Sequence, residues 1–159
     1  KHLALEPKRM GAVGTGAASK LALNQLIASL THGYSLALRL IQASGLDVER
    51  FMEVLRPSAL YAPTVDKKLK RMLTHDYSDP NFSTSLLRKD LNLFLREAGL
   101  AGLDAGGLEG LACLLMRAEG TDLDAGDYSA LHELTAADPS FNLDTSGSVP
   151  SPDRQGHTP

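Results

Sequence analysis

One uninterrupted stretch, residues 17–43, constrains the fold of this chain more than any other. It holds no proline and a single glycine, Gly33, and its apolar residues recur at the three- and four-residue spacing of a helix. A helix of that length would run for about 40 Å. Because leucines lie on most of its sides, the pattern predicts a helix buried at the centre of a bundle, with Gly33 marking a kink or a close helix crossing.

The rest of the chain predicts shorter helices separated by loops. Gly45 is placed to end the long helix, and Asp47 is placed to cap the next one. We expect these further helices at residues 48–55, 65–73, 84–98, 108–118 and 128–134. No stretch alternates long enough to predict a strand. The predicted fold class is therefore all-α, a multi-helix bundle around one long central helix.

Composition narrows the classes of partner and site. The net charge of −3 excludes an overall basic field for nucleic acid. Polar and charged residues interrupt the longest apolar region, near residues 21–41, so it predicts a soluble core helix and not a membrane span. The single cysteine, Cys113, fits a reducing compartment such as the cytoplasm and is expected to be a buried apolar filler. The histidines show no ligand spacing, so we expect no metal site.

A glycine-rich approach to the long helix carries the candidate chemistry. Gly11, Gly14 and Gly16 precede Lys20, and Asn24 follows four residues later. Positions i and i+4 share one face of a helix, so the amine and the amide project together from a helix expected to be buried. A buried amine titrates closer to neutrality, where it can pass a proton to a developing alkoxide or take one from an alcohol. The amide can orient a carboxylate or a hydroxyl.

Residues 14–19 superficially match a dinucleotide-binding fingerprint. That fingerprint requires a preceding apolar strand and an acidic residue about 20 positions later. Residues 3–7 make a poor strand, and the first acidic residue after Gly16 is Asp47. We therefore interpret these glycines as allowing the backbone to pass close to another surface, and not as a dinucleotide-binding turn.

The spacing Gly-x-x-Gly-x-Gly-x-x-x-Lys-x-x-x-Asn resembles the start of the C-terminal helical domain of the β-hydroxyacid dehydrogenases. That family includes 3-hydroxyisobutyrate dehydrogenase, tartronate semialdehyde reductase and, more distantly, 6-phosphogluconate dehydrogenase. Two later segments also resemble it, namely Phe82 followed by residues 89–91 (Lys-Asp-Leu), and the stretch 127–131. Together the three matches extend over roughly residues 10–135.

The resemblance implies catalytic and substrate-binding roles at the start of the long helix. It implies that Lys20 is the general acid in reduction and the general base in oxidation, and that Asn24 and Gly16 contact the substrate. The residues alone leave alternatives open. Lys20 would otherwise extend into solvent near a helix start, and the Asn24 amide would otherwise satisfy a neighbouring helix.

The resemblance further implies cofactor contacts from three residues of the later motif. Lys89 would lie near the nicotinamide end of NAD or NADP, Asp90 would support the site, and Phe82 would wall the pocket. The residues alone also allow roles without a cofactor, namely a solvated charge pair for Lys89 and Asp90, and core packing for Phe82. NAD and NADP are not distinguished.

The resemblance also implies a division of the chain. Residues 1–16 would be an interdomain linker, residues 17–135 a helical substrate and dimerisation domain, and residues 136–159 a polar tail. Members of the family begin with a Rossmann domain, and nothing before Gly11 is long enough for a βαβ unit of about 30 residues. We therefore expect the Rossmann domain to be absent from this chain, which alone would be inactive.

The expected parent protein is an NAD(P)-dependent oxidoreductase of the cytoplasm that acts on a small 3-hydroxy acid or its semialdehyde. Its expected partner is a second copy of itself, in a homodimer or higher oligomer, and neither nucleic acid nor membrane. One alternative is a helical oligomerisation module without activity of its own. Another is an imine-reductase-like relative, although such relatives usually lack the lysine that stands here as Lys20.

Two further features bear on the site. Leu36 stands where the family usually carries a glutamate, which makes the substrate pocket or its support atypical. A basic cluster is expected to form a solvated helix face, with an anion contact as the alternative; its members are Arg56, Lys67, Lys68, Lys70 and Arg71.

Overall fold

The computed structural model describes residues 10–136, and helices account for most of them. The helices are α1 (Thr15–Ala43), α2 (Val48–Leu55), α3 (Thr64–Thr74), α4 (Thr84–Leu100), α5 (Gly106–Met116), α6 (Asp122–Ala125) and α7 (Leu131–Leu134), with a 3₁₀ turn at Tyr128–Ala130. Between residues 10 and 136 there is no strand, and Ser83 and Asp127 form an isolated antiparallel bridge. The predicted all-α class is confirmed. The predicted polar tail lies outside the described residues, apart from Ala136.

The helix bounds follow the predictions closely in the first half of the chain and less closely in the second. Helix α2 has the predicted bounds, whereas α4 runs two residues further, to Leu100, and α5 begins and ends two residues earlier than predicted. The prediction missed α6, a single turn capped by the Thr121 hydroxyl, which accepts from the Leu123 amide. So short a turn has no apolar periodicity to reveal it.

The turn from α1 into α2 forms as its sequence predicts. Gly45 has a φ of 70°, in the left-handed region that favours glycine, and the Leu46 amide donates to the carbonyl oxygen of Ile41 at 3.2 Å. The Asp47 carboxylate then accepts from the Arg50 amide at 3.0 Å and caps α2. These local bonds fix where the long helix ends and how the next one leaves it.

The main core lies where α4 meets the helices around it. Its centre is made of buried residues from α1, α4, α5 and α7, among them Ala28, Leu87, Leu91, Leu115 and Leu131. A smaller cluster of Met52, Leu55 and Val65 joins α2 to α3. Other helices thus cover the apolar face of α4, and the side chains next to that face lie close to α1.

The prediction of a long helix buried on most sides is wrong for this chain. Helices α4, α5 and α7 pack against one side of α1, and its buried residues are Ala28, Thr31, Ser35 and Leu38. Other leucines of α1 are 40 to 68% exposed, namely Leu23, Leu26, Leu30, Leu36 and Leu40. Gly33 marks no close crossing with the other helices between residues 10 and 136, because a Cβ there would meet none of their atoms within 4 Å.

Two expectations about single side chains are also wrong. Cys113 is exposed, because α5 turns Ala112 and Leu115 into the core and leaves Cys113 on its other side. Lys68 does not join the solvated basic face, since its side chain is 13% exposed and pairs with Asp127. Arg56 does behave as a surface residue and pairs there with acidic side chains.

Over residues 10–136, no helix is both long enough and apolar enough to cross a membrane. The same residues contain no group of three or more histidine, cysteine, aspartate or glutamate side chains placed to hold a metal ion.

Candidate active site

Polar side chains of α1 and α4 converge on one carboxylate. The Asn24 amide donates from Nδ2 to Oδ2 of Asp90 at 2.6 Å, and Nζ of Lys20 lies 3.4 Å from the same oxygen. Nζ of Lys89 lies 3.3 Å from Oδ1, the other oxygen of Asp90. The structure therefore brings four of the six sequence-predicted site residues into one cluster, with Asp90 at its centre.

Burial differs sharply within this cluster. The Asp90 side chain is 3% exposed, whereas those of Lys20 and Lys89 are 63% and 57% exposed. The expectation that the Lys20 amine would be buried is wrong for this chain, because no described residue covers it. A buried anion thus holds two ammonium groups at the surface, where a ligand can reach them.

The electrostatics of Asp90 follow from its partners. Burial by itself would raise the pKa of Asp90, but the hydrogen bonds from Asn24, Lys89 and Lys20 outweigh it. The pKa of Asp90 therefore lies below its usual value, and the group is a carboxylate at neutral pH. In that form it accepts from the amide and both amines at once.

The local sequence explains why Asp90 points inward. Ser83 caps α4 by accepting from the Leu86 amide, and Leu87 and Leu91 are fully buried on one face of the helix. Asp90 lies three residues after Leu87 and therefore shares that face. The apolar anchoring of α4 carries the carboxylate towards α1 with it.

The glycines before Lys20 have different requirements. Gly11 and Gly14 have φ values of 114° and 97°, and Gly14 caps α1, so both need the left-handed freedom of glycine. Gly16 lies inside the first turn of α1, and a Cβ there would meet nothing within 4 Å. Its surface is open, which leaves room for a ligand or another surface to approach the backbone.

An open apolar groove of about 510 Å³ begins beside this approach. The start of α1 forms one wall and the second half of α4 forms the other; the lining includes Ala17, Leu21, Phe94, Ala98 and Leu103. Phe82, the remaining predicted site residue, packs against the main core with its ring centroid 6.0 Å from that of Tyr128.

Sequence reasoning missed a buried pair of opposite charges. Nζ of Lys68 lies 2.7 Å from Oδ2 of Asp127, and the Asp127 side chain is fully buried. The match over residues 127–131 indicated this region. Lys68 was not recognised because it lies in a run of basic residues on α3 and resembles the surface lysines beside it.

The family to which this helical domain belongs is shown by comparison with known proteins. A family model described as the NAD-binding domain of NADP-dependent 3-hydroxyisobutyrate dehydrogenase matches residues 14–135. That range contains every element described above. The chain therefore belongs to the 3-hydroxyisobutyrate dehydrogenase family of β-hydroxyacid dehydrogenases, as its motifs predicted, and the cofactor of this family is NAD or NADP.

Individual relatives agree with this assignment. A probable 3-hydroxyisobutyrate dehydrogenase-like protein of Arabidopsis thaliana, named as mitochondrial, is 35% identical over 99 residues, which cover 62% of this chain and 29% of that protein. The 3-hydroxyisobutyrate dehydrogenase of Mycobacterium tuberculosis, solved with L-serine, shares the fold with a TM-score of 0.71 at 24% identity, over 80% of this chain and 46% of that one.

A 3-hydroxyisobutyrate dehydrogenase from Salmonella typhimurium also shares the fold, with a TM-score of 0.68 at 17% identity. The match covers 76% of this chain and 42% of that structure. The chain thus spans less than half the length of each of these relatives.

Proposed function

We propose that this chain is the proton-transferring half of an NAD(P)-dependent dehydrogenase that interconverts a small 3-hydroxy acid and its semialdehyde. The observation that carries the proposal is the convergence of Lys20 and Asn24 on the buried carboxylate of Asp90. This arrangement holds one amine and one amide, a helical turn apart, with the amine open to a ligand.

Lys20 is the proposed catalytic residue. In reduction its ammonium gives a proton to the carbonyl oxygen as that oxygen becomes an alkoxide, and in oxidation the neutral amine takes the hydroxyl proton. Asn24 orients the substrate, and Asp90 is a positioning residue that holds both side chains. The bound nicotinamide cofactor supplies or accepts the hydride.

The residues fit the nicotinamide end of such a cofactor. The Lys89 side chain is more than half exposed, and its ammonium is a donor that suits the amide oxygen of a nicotinamide. The open backbone at Gly16 leaves room for a flat ring or a substrate beside Lys20. We propose that the rest of the dinucleotide is held by the part of the relatives' length that this chain does not span, so the isolated chain is inactive.

The charge of the cluster favours an anionic substrate. Lys20 and Lys89 contribute two positive charges against the single negative charge of Asp90, so the exposed surface of the cluster is positive. A small carboxylate, such as a 3-hydroxy acid or its semialdehyde, matches that sign. A neutral or cationic substrate would gain nothing from it.

The test follows NAD(P)H oxidation by the full-length protein with a panel of small semialdehydes and keto acids. Lys20→Ala should lower kcat by a factor on the order of 100 or more, because general acid catalysis contributes that much. The matched control is Lys67→Ala, which removes an exposed lysine from α3 and should leave kcat unchanged. Equal rates for Lys20→Ala and the unaltered protein would refute the catalytic assignment.

The exposed apolar side of α1 supports a second role in assembly. Leu23, Leu26 and Leu30 recur at helical spacing, and each is at least 40% exposed. A long apolar helix face of this kind marks a protein–protein contact, and we propose that a second copy of the chain covers it. In light scattering, Leu26→Glu should turn a dimer into a monomer, and Glu53→Gln on the exposed face of α2 should not. An unchanged mass for Leu26→Glu would contradict the proposal.

We also propose that the protein lies in the cytoplasm. The single cysteine suits any reducing compartment, and the Arabidopsis relative is named as mitochondrial. Fractionation of cells with an antibody against the full-length protein distinguishes the two compartments.

A further inference from the structure

We propose that Lys68 and Asp127, which lie outside the Lys20–Asn24–Asp90 cluster, are positioning residues that set where α4 presents Lys89 and Asp90 to α1. The proposal rests on the proposed function. It assigns a task to the buried pair that sequence reasoning missed, and it connects α3 to the active site through the segment 126–128.

Lys68 and Asp127 form a buried pair that is tied to α3. Nζ of Lys68 lies 2.7 Å from Oδ2 of Asp127 and 4.5 Å from the ring centroid of Tyr128. The Tyr128 hydroxyl lies 2.8 Å from that of Thr64, so both the charge and the ring are tied to α3. Oδ1 of Asp127 accepts from the amide and the hydroxyl of Ser129. Both oxygens of this carboxylate therefore have a partner, and the position of Asp127 relative to α3 is fixed.

Hydrogen bonds of the segment 126–128 link this pair to the start of α4. The Thr84 amide, in the first turn of α4, donates to the carbonyl oxygen of Gly126 at 2.9 Å, and the Tyr128 amide donates to that of Phe82 at 3.0 Å. The Thr84 hydroxyl lies 3.3 Å from the carbonyl oxygens of Gly126 and Asp127, and Thr84 is fully buried. Whatever moves Asp127 therefore moves the N-terminus of α4.

Helix α4 connects its N-terminus to the site. Asp90 lies six residues after Thr84 on the same helix, about 9 Å along its axis. Between them, Arg88 pairs with Asp124 at 2.9 Å and with Glu119 at 2.8 Å. Asp90 is 200° around the helix from Arg88, at about 100° per residue, so α4 is held on one side by α1 and on the other by the segment 119–128. Its rotation is set from both sides.

A merely stabilising role would not require these charges. A buried ion pair is weak evidence for stability, because two apolar side chains of similar size often do as well. The pair instead fixes a position: because both carboxylate oxygens of Asp127 have fixed partners, the segment 126–128 is held in one place. A displacement of about 1 Å at a catalytic group can cost a large factor in rate, so the site is sensitive to that position.

The test compares three variants of the full-length protein: Lys68→Met, Lys68→Arg and the matched control Lys70→Met, which removes an exposed lysine from the same helix. Each is assayed for kcat, KM and NAD(P) dissociation constant at a temperature where circular dichroism shows it folded. We expect kcat to fall about tenfold in Lys68→Met with cofactor affinity unchanged, to recover largely in Lys68→Arg, and to stay constant in Lys70→Met. An unchanged kcat in folded Lys68→Met would overturn the proposal.

A second readout does not depend on turnover. In protein labelled with ¹⁵N-asparagine, the side-chain amide of Asn24 reports its bond to Asp90, and the signal is assigned by its loss in Asn24→Asp. It should shift in Lys68→Met and stay in place in Lys70→Met. If the unaltered protein has no dehydrogenase activity, the proposed function fails and this signal alone decides the positioning role. A signal unmoved in Lys68→Met would refute that role in either case.

Discussion

Two of the lysine–aspartate pairs between residues 10 and 136, Lys20–Asp90 and Lys68–Asp127, look alike in composition and differ in burial. In both pairs the aspartate is buried: Asp90 between α1 and α4, and Asp127 between α3 and the start of α4. Nζ of Lys20 lies 3.4 Å from Oδ2 of Asp90, and the lysine side chain is exposed to solvent. Nζ of Lys68 lies 2.7 Å from Oδ2 of Asp127 and is enclosed beside the ring of Tyr128. One amine is accessible and the other is enclosed.

This difference separates the lysine proposed to be catalytic from the lysine proposed to be a positioning residue. Asp90 has three donors, so it does not depend on any single one of them. Lys20 can therefore exchange a proton while Asn24 and Lys89 still interact with the carboxylate. Among the residues that the structure describes, Asp127 has one cationic partner, so losing Lys68 would leave a buried charge unpaired. The geometry of the partner network, and not the residue types, distinguishes the two pairs.

The largest expected effect on activity comes from replacing Lys20 with arginine, and the same replacement at Lys68 is its comparison. Arginine keeps the charge but does not release its proton at physiological pH. Lys20→Arg should therefore lower kcat by a factor on the order of 100 or more, whereas Lys68→Arg should keep most of the activity. Steady-state kinetics of the full-length protein measure both. Full activity in Lys20→Arg would remove the distinction between the two pairs.

The next largest effect concerns stability. Lys68→Met should lower the free energy of unfolding by about 3 kcal/mol, because it leaves the buried Asp127 carboxylate unpaired. Adding Asp127→Asn should restore part of that loss, since asparagine keeps an oxygen for the two donors of Ser129. Urea denaturation of the single and double variants measures the difference.

Lys20→Met is the comparison variant for this effect, because Lys20 is exposed and Asp90 keeps its other partners. Its stability should differ little from that of the unaltered protein. A double variant no more stable than Lys68→Met would contradict the role given to the unpaired charge.

The smallest effect is a pH dependence at Asp90. Because the pKa of Asp90 is held below its usual value, its contribution to stability is present above about pH 4 and is lost as pH falls through the lowered pKa. Asp90→Asn should have a lower melting temperature than the unaltered protein at pH 7, and the difference between the two melting temperatures should decrease below about pH 4. Melting temperatures across this range measure it, with Asp122→Asn on the exposed start of α6 as the control.

Much of the fold could be predicted because its signals are local. Gly45 and Asp47 mark a helix end and a helix start through bonds to residues within five positions, and α2 has the predicted bounds. Leu87 and Leu91 lie four residues apart and therefore share the apolar face of α4, which is likewise a local signal. Helix α6 escaped prediction because a single turn has no period to detect.

The site was partly predictable for the same reason. The four-residue spacing of Lys20 and Asn24 puts both on one face of α1, and it needs no knowledge of the rest of the chain. That Asp90 is their common partner could not be derived from residue types, because it is 66 positions away from Asn24 along the chain. Neither could the exposure of Lys20, which depends on what covers the start of α1.

The sequence by itself determined the helical class, the ends of several helices and the family, because helix periodicity, caps and motif spacing are written in neighbouring residues. Only the tertiary structure decided which aspartate holds which lysine, and which amine stays open to solvent. Those outcomes depend on burial, and burial is a property of the packed molecule: α1, α3 and α4 must meet before Lys20 and Lys68 differ in anything but position.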